Sequence, residues 1–352
     1  MTHPHAARPD HSFVMPPPTK LHLVILGRLA STTLVAVYLF FPCSFLVPLT
    51  SPVLLLGSLR ALLLFYIVIF LLYRPWGWRV RAATGVVSRE WPSLRGNRFF
   101  RFIARSYPWT LRHVGRRPLR AACDLDDGTA ANYGRSSHPY LFACYPHGVF
   151  PVSWWLAFHD VHACRPLTLT ATVQMRIPVF REIMLSAGML EASPASLETA
   201  LARGRSVCVL PGGTRELTIT EPGPVMHIVR RRNFLRYALL HNVPVVPCLA
   251  VGAHDMYGVA KLQWESFRKL VGVPLFIFRG AWDFVSPRHV PVCHLVGDAI
   301  EIERRPNADA GEVTEADVDE LSARFYNALI SMLAAHRREC RAHARVQLEI
   351  VD

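Results

Sequence analysis

YLFACYPHG, residues 140–148, is an apolar run of strand length that halts at a proline and leaves a histidine and a glycine at its tip. SVCVL at 206–210 does the same and ends in PGGTRE, residues 211–216. Continuous apolar runs of this length between turn residues read as strands buried on both faces. Working outward, the runs Tyr140–Cys144, Leu167–Val173, Ser206–Leu210 and Val245–Val251 are all expected to be such strands. Helix signals lie between and after them. Ser193-Pro194 is a cap followed by proline at the first helical position, and Gly204 closes that helix. A second helix is expected over Phe234–His241. A third starts at Thr314 and repeats apolar residues at Val318, Leu321, Phe325, Leu329 and Met332. Strands alternating with helices specify an α/β fold with one mainly parallel sheet.

In such sheets, sites form at the carboxyl ends of strands, and both short clusters stand there. Pro146 stiffens the approach to His147 and Gly148 gives the backbone room. An imidazole held in this way suits removal of a proton from a hydroxyl near neutral pH. A lone histidine is more often structural, so the second cluster matters. Gly212 and Gly213 leave backbone N–H groups open to an oxyanion or phosphate. Arg215 is a fixed cation, and Glu216 could orient His147 and offset its charge. The plainer alternative is a turn with two solvated charges. Pairing of His147 with Glu216 requires the strands ending at 144 and 210 to be neighbours. Cys144, three residues before His147, raises a rival covalent route through its thiol, although a cysteine inside an apolar strand more often fills space. Arg230-Arg231-Arg232, ahead of a helix, could receive phosphate groups or remain a solvated charge run. The cysteines form no CxxC pair and the 16 histidines show no paired ligand spacing, so no metal is expected.

The amino-terminal third has a different character. Residues 1–20 are rich in His and Pro and read as a disordered tail. From Leu21 to Tyr73 the only Asp, Glu, Lys or Arg residues are Arg28 and Arg60. The runs Leu21–Phe41 and Pro52–Tyr73, joined by PCSFLVPLTS, each match the thickness of a hydrocarbon core, roughly 30 Å as helix. The pair reads as a membrane-embedded helical hairpin over 21–73. A cleaved signal peptide is the alternative, with a second apolar run and no clear cleavage site against it. Arg60 either snorkels to the far headgroups or marks a hairpin that only dips into the bilayer. Between Arg74 and Arg120 stand twelve Arg, no Lys and one acid, Glu90, which is +11 of the chain's net +13. Nucleic acid is one partner for such charge, but no nucleic-acid-binding signature is present. Directly after the apolar runs, 74–120 reads as a basic membrane-surface segment, with residues 121–345 as the catalytic domain.

Several ordered blocks together carry a resemblance. YPHG (145–148), RIPVFREIMLSAGM (176–189), PGGTRE (211–216), RRNFLRYALLHNVPVVP (231–247), GAHDMYG (252–258) and VGDAIEIERRP (296–306) resemble the type-2 diacylglycerol acyltransferase family, which includes monoacylglycerol and wax-alcohol acyltransferases. The similarity runs from about Tyr140 to His336. The family's His-Pro-His-Gly motif falls on Tyr145, Pro146, His147 and Gly148, here with tyrosine first, and implies that His147 is catalytic. PGGTRE is similar to the Pro-Glu-Gly-Thr-Arg block of the wider glycerolipid acyltransferases. Those enzymes place an Asp five residues after the histidine, where this chain has Val152. That departure argues against a lysophosphatidate-type enzyme and leaves Glu216 as the candidate acid. Asn233 stands where the family usually has Gly, which questions a tight turn there.

The resemblance implies a glycerolipid-acyltransferase-like sheet flanked by helices behind a hairpin, and acyl-CoA-dependent esterification of a lipid hydroxyl. The expected acceptor is diacylglycerol, with monoacylglycerol or a wax alcohol as alternatives. Acyl-CoA is co-substrate and no cofactor is required, because a thioester is already activated. Candidate phosphate-binding cations are Arg176, on family grounds, and Arg215, Arg230, Arg231 and Arg232. Tyr145, Pro146, Gly148, Gly212 and Gly213 are the motif and oxyanion candidates. A non-catalytic lipid-binding scaffold, on a membrane or lipid droplet, is the contrasting reading, and intact YPHG and PGGTRE oppose it. The expected location is the endoplasmic reticulum membrane, with lipid droplets as a second address, membrane lipids as partners and oligomeric state unspecified. By the positive-inside rule, Lys20 and the arginines after Tyr73 place both ends of the hairpin in the cytosol. Tags at either terminus should therefore be digested by protease when only the plasma membrane is permeabilised, and protection of either tag refutes this orientation.

Overall fold

The computed structural model describes residues 90, 98–116, 119, 134–149, 151–160, 165–172, 174–176, 180–262, 275–281, 287–302 and 313–352. The expected tail and hairpin lie outside these residues, as does most of the basic segment. Among the described residues no helix is long and apolar enough to cross a membrane. The strands are β1 Trp109–His113, β2 Leu141–Tyr145, β3 Leu167–Thr170, β4 Met189–Glu191, β5 Val207–Val209, β6 Val225–Val229, β7 Val245–Val251, β8 Gly258–Leu262, β9 Leu275–Arg279, β10 Val292–Val296 and β11 Gln347–Val351. The helices are α1 Arg98–Arg105, α2 Val152–Asp160, α3 Phe180–Ser186, α4 Pro194–Ala202, α5 Gly213–Ile219, α6 Asn233–His241 and α7 Glu315–Glu339.

Seven strands form the main sheet in the order β1-β10-β7-β2-β5-β3-β4. Every neighbouring pair is parallel except β10 and β7. β2 is therefore flanked on both sides by parallel partners, with Leu141 opposite Val207 of β5 and Val245 of β7. This is why its residues are uniformly apolar: all of β2, β5 and β7 is buried. The carboxyl ends of these three strands emerge on one edge. There they deliver YPHG, PGGTRE and the GAHD turn side by side.

Local chemistry sets the helix ends. The Ser193 side chain accepts from the Ser196 N–H at 3.3 Å, Pro194 fills the first position of α4, and Gly204 turns the chain at φ +69°. Thr314 and Asp317 form a reciprocal capping box at the start of α7. The face of α7 carrying Val318, Leu321, Phe325, Leu329 and Met332 is buried against the sheet. Asn233 simply opens α6 in helical conformation, so no glycine is needed there.

The folded unit takes in more chain than residues 121–345. Trp109–His113, from within the basic segment, pairs with β10, and Gln347–Val351 pairs with β6 in a separate two-stranded sheet. Glu90 is also part of it. Its carboxylate meets the Arg205 guanidinium at 2.7 Å, with both side chains buried. Removing one member of a buried ion pair leaves an uncompensated charge, at about 3–5 kcal/mol. Glu90→Ala should lower the denaturant midpoint by a corresponding amount, with Glu90→Gln less severe because it keeps an acceptor. An unchanged midpoint in Glu90→Ala would show that this bridge does not fasten the segment.

Candidate active site

His147 follows β2 with only Pro146 between, and its ring is almost wholly buried. Trp154 of α2 donates its indole N–H to the Pro146 carbonyl at 3.0 Å, fixing the approach. Trp154 in turn stacks edge-on against His294 of β10, centroids 4.8 Å apart. Gly148 sits at φ +65°, and a Cβ there would lie 3.2 Å from the Ala253 carbonyl. The GAHD turn thus packs directly on the motif, which explains the glycine.

The imidazole Nε2 lies 2.7 Å from the Gly213 carbonyl oxygen. A carbonyl only accepts, so Nε2 carries the proton and Nδ1 keeps its lone pair. Nδ1 is buried and makes no hydrogen bond among the described residues. The Glu216 carboxylate approaches the same Nε2 at 3.5 Å and is fully buried. The strands ending near 144 and 210 are neighbours, and the two side chains meet. The tautomer, however, is set by the shorter contact to Gly213, with the carboxylate behind it. Burial holds the His147 pKa below the ordinary 6.5, against hydrogen bonding to Gly213 that raises it. Burial pushes the Glu216 carboxyl well above its usual range, and only the His147 backbone N–H opposes this. The two groups form a sequestered acid–base couple, both driven towards their neutral forms.

PGGTRE is not the open loop its glycines suggest. Gly212 caps α5 and Gly213 begins it, so Glu216 lies in the helix's first turn and folds back over Gly212. A Cβ on Gly212 would fall 1.8 Å from Glu216 Oε2. The Gly213 N–H is already committed to the Leu210 carbonyl at 3.2 Å, which removes it as an oxyanion donor. Tyr145 does not face the imidazole's chemistry either. Its hydroxyl donates to the Val229 carbonyl at 2.9 Å and contacts the Tyr326 hydroxyl of α7 at 3.0 Å.

The candidate phosphate-binding cations divide. Arg215 hydrogen-bonds the Asp352 carbonyl, and Arg230 pairs with the Asp352 carboxylate at 2.9 Å. Arg230 also lies over the Tyr326 ring at 4.8 Å. Arg231 is exposed, and among the described residues its side chain makes no ion pair. Arg232 is taken up by Asp319 and Glu315 of α7. Arg176 ends a short 3-10 turn, Gln174–Arg176, and its side chain is outside the described residues. Cys144 is fully buried with its sulfur 3.5 Å from that of Cys208, and burial pushes its thiol well above the usual range, which disfavours a nucleophilic thiolate. Sequence reading missed the Gly213 carbonyl, Trp154 and Tyr326. No residue spacing announces them, because each meets the site through tertiary packing.

A strand-tip histidine with one nitrogen unpaired among the described residues and a buried acid beside it stand at the carboxyl edge of a mainly parallel α/β sheet, a setting suited to acid–base chemistry. The family model for "Diacylglycerol acyltransferase" matches residues 129–351, and the chain belongs to that family; it is an acyltransferase. It is 26% identical to human 2-acylglycerol O-acyltransferase 3 over 238 residues, 60% of this chain and 68% of that protein. It is 24% identical to diacylglycerol O-acyltransferase 2A of Umbelopsis ramanniana over 283 residues, 73% and 76% of the two chains. To diacylglycerol O-acyltransferase 2 of Dictyostelium discoideum it is 25% identical over 226 residues, 57% and 67%. No solved structure matches it.

The two glycines of PGGTRE should respond differently to substitution. Gly212 has ordinary helical φ, so Gly212→Ala introduces only the clash that expels the Glu216 carboxylate. Gly213 has φ +52° and open space around it, so Gly213→Ala strains the backbone by about 1–2 kcal/mol and leaves Glu216 in place. Acyl transfer should therefore fall further in Gly212→Ala than in Gly213→Ala, and unchanged activity in Gly212→Ala would mean that Glu216 has no part in the reaction.

Proposed function

We propose that the chain transfers an acyl group from acyl-CoA to the hydroxyl of a neutral lipid, converting diacylglycerol to triacylglycerol, with His147 as general base. The observation that carries this reading is the Nε2–H of His147 held by the Gly213 carbonyl, which leaves the Nδ1 lone pair for a substrate proton. The acceptor hydroxyl hydrogen-bonds to Nδ1 and its oxygen attacks the thioester carbonyl as the proton moves to the ring. The tetrahedral intermediate then collapses, expelling the CoA thiolate, which recovers the proton. Among the described residues the Glu216 side chain, 3.5 Å from Nε2, is the acid placed to offset the imidazolium, and it does so only in its ionised form. Shelter of Nδ1 from solvent disfavours water as a competing acceptor.

We assign the CoA phosphates first to Arg231, which is exposed and makes no ion pair among the described residues, with Arg215 and Arg230, both held by Asp352, as further candidates. Arg232 is less suited, being neutralised by the final helix. Diacylglycerol is favoured as acceptor because most of the similar proteins quoted above are named for it, with monoacylglycerol as the second reading. The expected setting is the endoplasmic reticulum membrane with the catalytic domain in the cytosol, and lipid droplets as a second location. The test is a set of membranes containing the protein, labelled acyl-CoA and a panel of acceptor lipids.

His147→Ala should lose the general-base contribution of roughly 10²–10⁴-fold in turnover and keep its expression and membrane association. Near-normal turnover would end the proposed mechanism. Glu216→Gln should lower kcat and leave the acyl-CoA KM close to wild type, since the carboxylate acts as charge develops. The base works only when unprotonated and its pKa lies below 6.5, so activity should rise with pH through a midpoint on the acidic side of that value. If Glu216 is ionised in the working enzyme, Glu216→Gln should move that midpoint still lower. A wild-type midpoint above 6.5 would contradict the assignment.

A further inference from the structure

Away from the strand tips, three donors from the carboxyl end of α7 converge. His336 and Cys340 are one helical turn apart, and a short 3-10 turn, Arg341–His343, brings His343 back to them. His336 Nε2 lies 2.9 Å from His343 Nδ1, and Cys340 Sγ lies 3.6 Å from the same Nδ1. All three donor atoms fall within 4.8 Å of one another. We propose that His336, Cys340 and His343 bind one zinc ion, through Nε2, Sγ and Nδ1, and that this ion braces the end of α7 against the sheet.

The hydrogen bonding around His343 sets the argument. Its Nε2 lies 3.1 Å from the Pro291 carbonyl and so carries the proton, which leaves a single lone pair on Nδ1. Without a metal, two donors compete for that lone pair, the His336 Nε2–H and the Cys340 thiol. A cation among them takes a lone pair from each instead. Zinc–nitrogen bonds of about 2.0–2.1 Å and a zinc–sulfur bond of about 2.3 Å imply donor separations of roughly 3.3–3.6 Å at tetrahedral angles. The distance from the Cys340 sulfur to His343 Nδ1 already fits, the two nitrogens must open slightly, and the Cys340 sulfur lies within 4.8 Å of His336 Nε2, a gap that a turn of its side chain can close. The Pro291 carbonyl is the outer acceptor that orients a ligating imidazole. Two imidazoles and one thiol suit zinc among the common divalent ions. Cys340 is part-exposed, so solvent can supply the fourth ligand.

The position gives the ion a structural task. Pro291 leads into β10, and Gly252, at the end of β7, is a residue whose Cβ would lie 2.3 Å from the Pro291 carbonyl and 3.0 Å from His343 Nε2. The site therefore ties the end of α7 to the start of β10 and the turn after β7. That same turn is the one packed on Gly148.

The test uses the full-length protein, purified in detergent without a histidine tag. Metal content should be one zinc per chain. After stripping with chelator, Co²⁺ should give the intense visible bands of a tetrahedral site and a thiolate charge-transfer band, and zinc should displace it with a dissociation constant of about a micromolar or tighter. Peptide mapping should show iodoacetamide labelling of Cys340 in stripped protein and protection on adding zinc. Cys340→Ser should lose the charge-transfer band, and His343→Gln should weaken zinc binding at least about tenfold. The proposal is overturned if stripped wild-type protein takes up neither ion in this range, or if Cys340 labels equally with and without zinc. Zinc that persists unchanged in Cys340→Ser also overturns it, by placing the metal elsewhere. Should that variant fail to fold, the wild-type protection experiment decides alone.

Discussion

A hydrogen bond between two strand tips organises this molecule: the His147 Nε2–H to the Gly213 carbonyl, 2.7 Å long. It forms only because β2 and β5 run parallel as neighbours, so that both carboxyl ends leave the sheet at one edge. The requirement propagates outward. Gly213 must adopt a left-handed conformation for α5 to begin immediately after the strand. Gly212 must lack a side chain so that the Glu216 carboxylate can lie over it. Trp154 must hold the Pro146 carbonyl so that the histidine enters from a fixed direction.

The central sheet was the most legible part of the sequence, because a strand buried on both faces has no room for polar residues. Val245–Val251 is a strand over its whole expected length, and the strands around Phe142 and Cys208 differ from expectation only at their ends. The capped helices at Ser193 and Thr314 were legible for a related reason, since a capping side chain acts within four residues of itself. Distance in sequence defeats this kind of reading. Trp109–His113 alternates polar and apolar residues among many arginines and becomes a strand only against Val292–Val296. The zinc-type trio was missed similarly, since a search for paired ligand spacings passes over a helix end whose third donor returns through a tight turn.

The site was half legible. His147 and Glu216 could be named from their places at strand ends, and they lie together. The acceptor that sets the tautomer could not, since a backbone carbonyl leaves no mark on residue identity. The helical character of GTRE was hidden too, because two glycines signal a loop while α5 starts without a side-chain cap. The arginine run illustrates the converse problem. Arg230, Arg231 and Arg232 are indistinguishable in sequence and all exposed, yet one pairs with Asp352, one makes no ion pair among the described residues and one is neutralised by α7.

Tyr145 shows that a four-residue motif need not be a unit of chemistry. Its phenol is spent inside the core, on Val229 and on Tyr326, a residue 181 positions later. The first place of the motif therefore answers to the packing of the last helix, and the third stands beside Glu216 at the proposed site. Two consequences follow for how lineages drift. A change at position 145 is coupled to position 326 rather than to its own neighbours in the motif, so the two should be exchanged together or not at all. A substitution at that first position should also be felt in the seating of the final helix, through the lost contact to Tyr326.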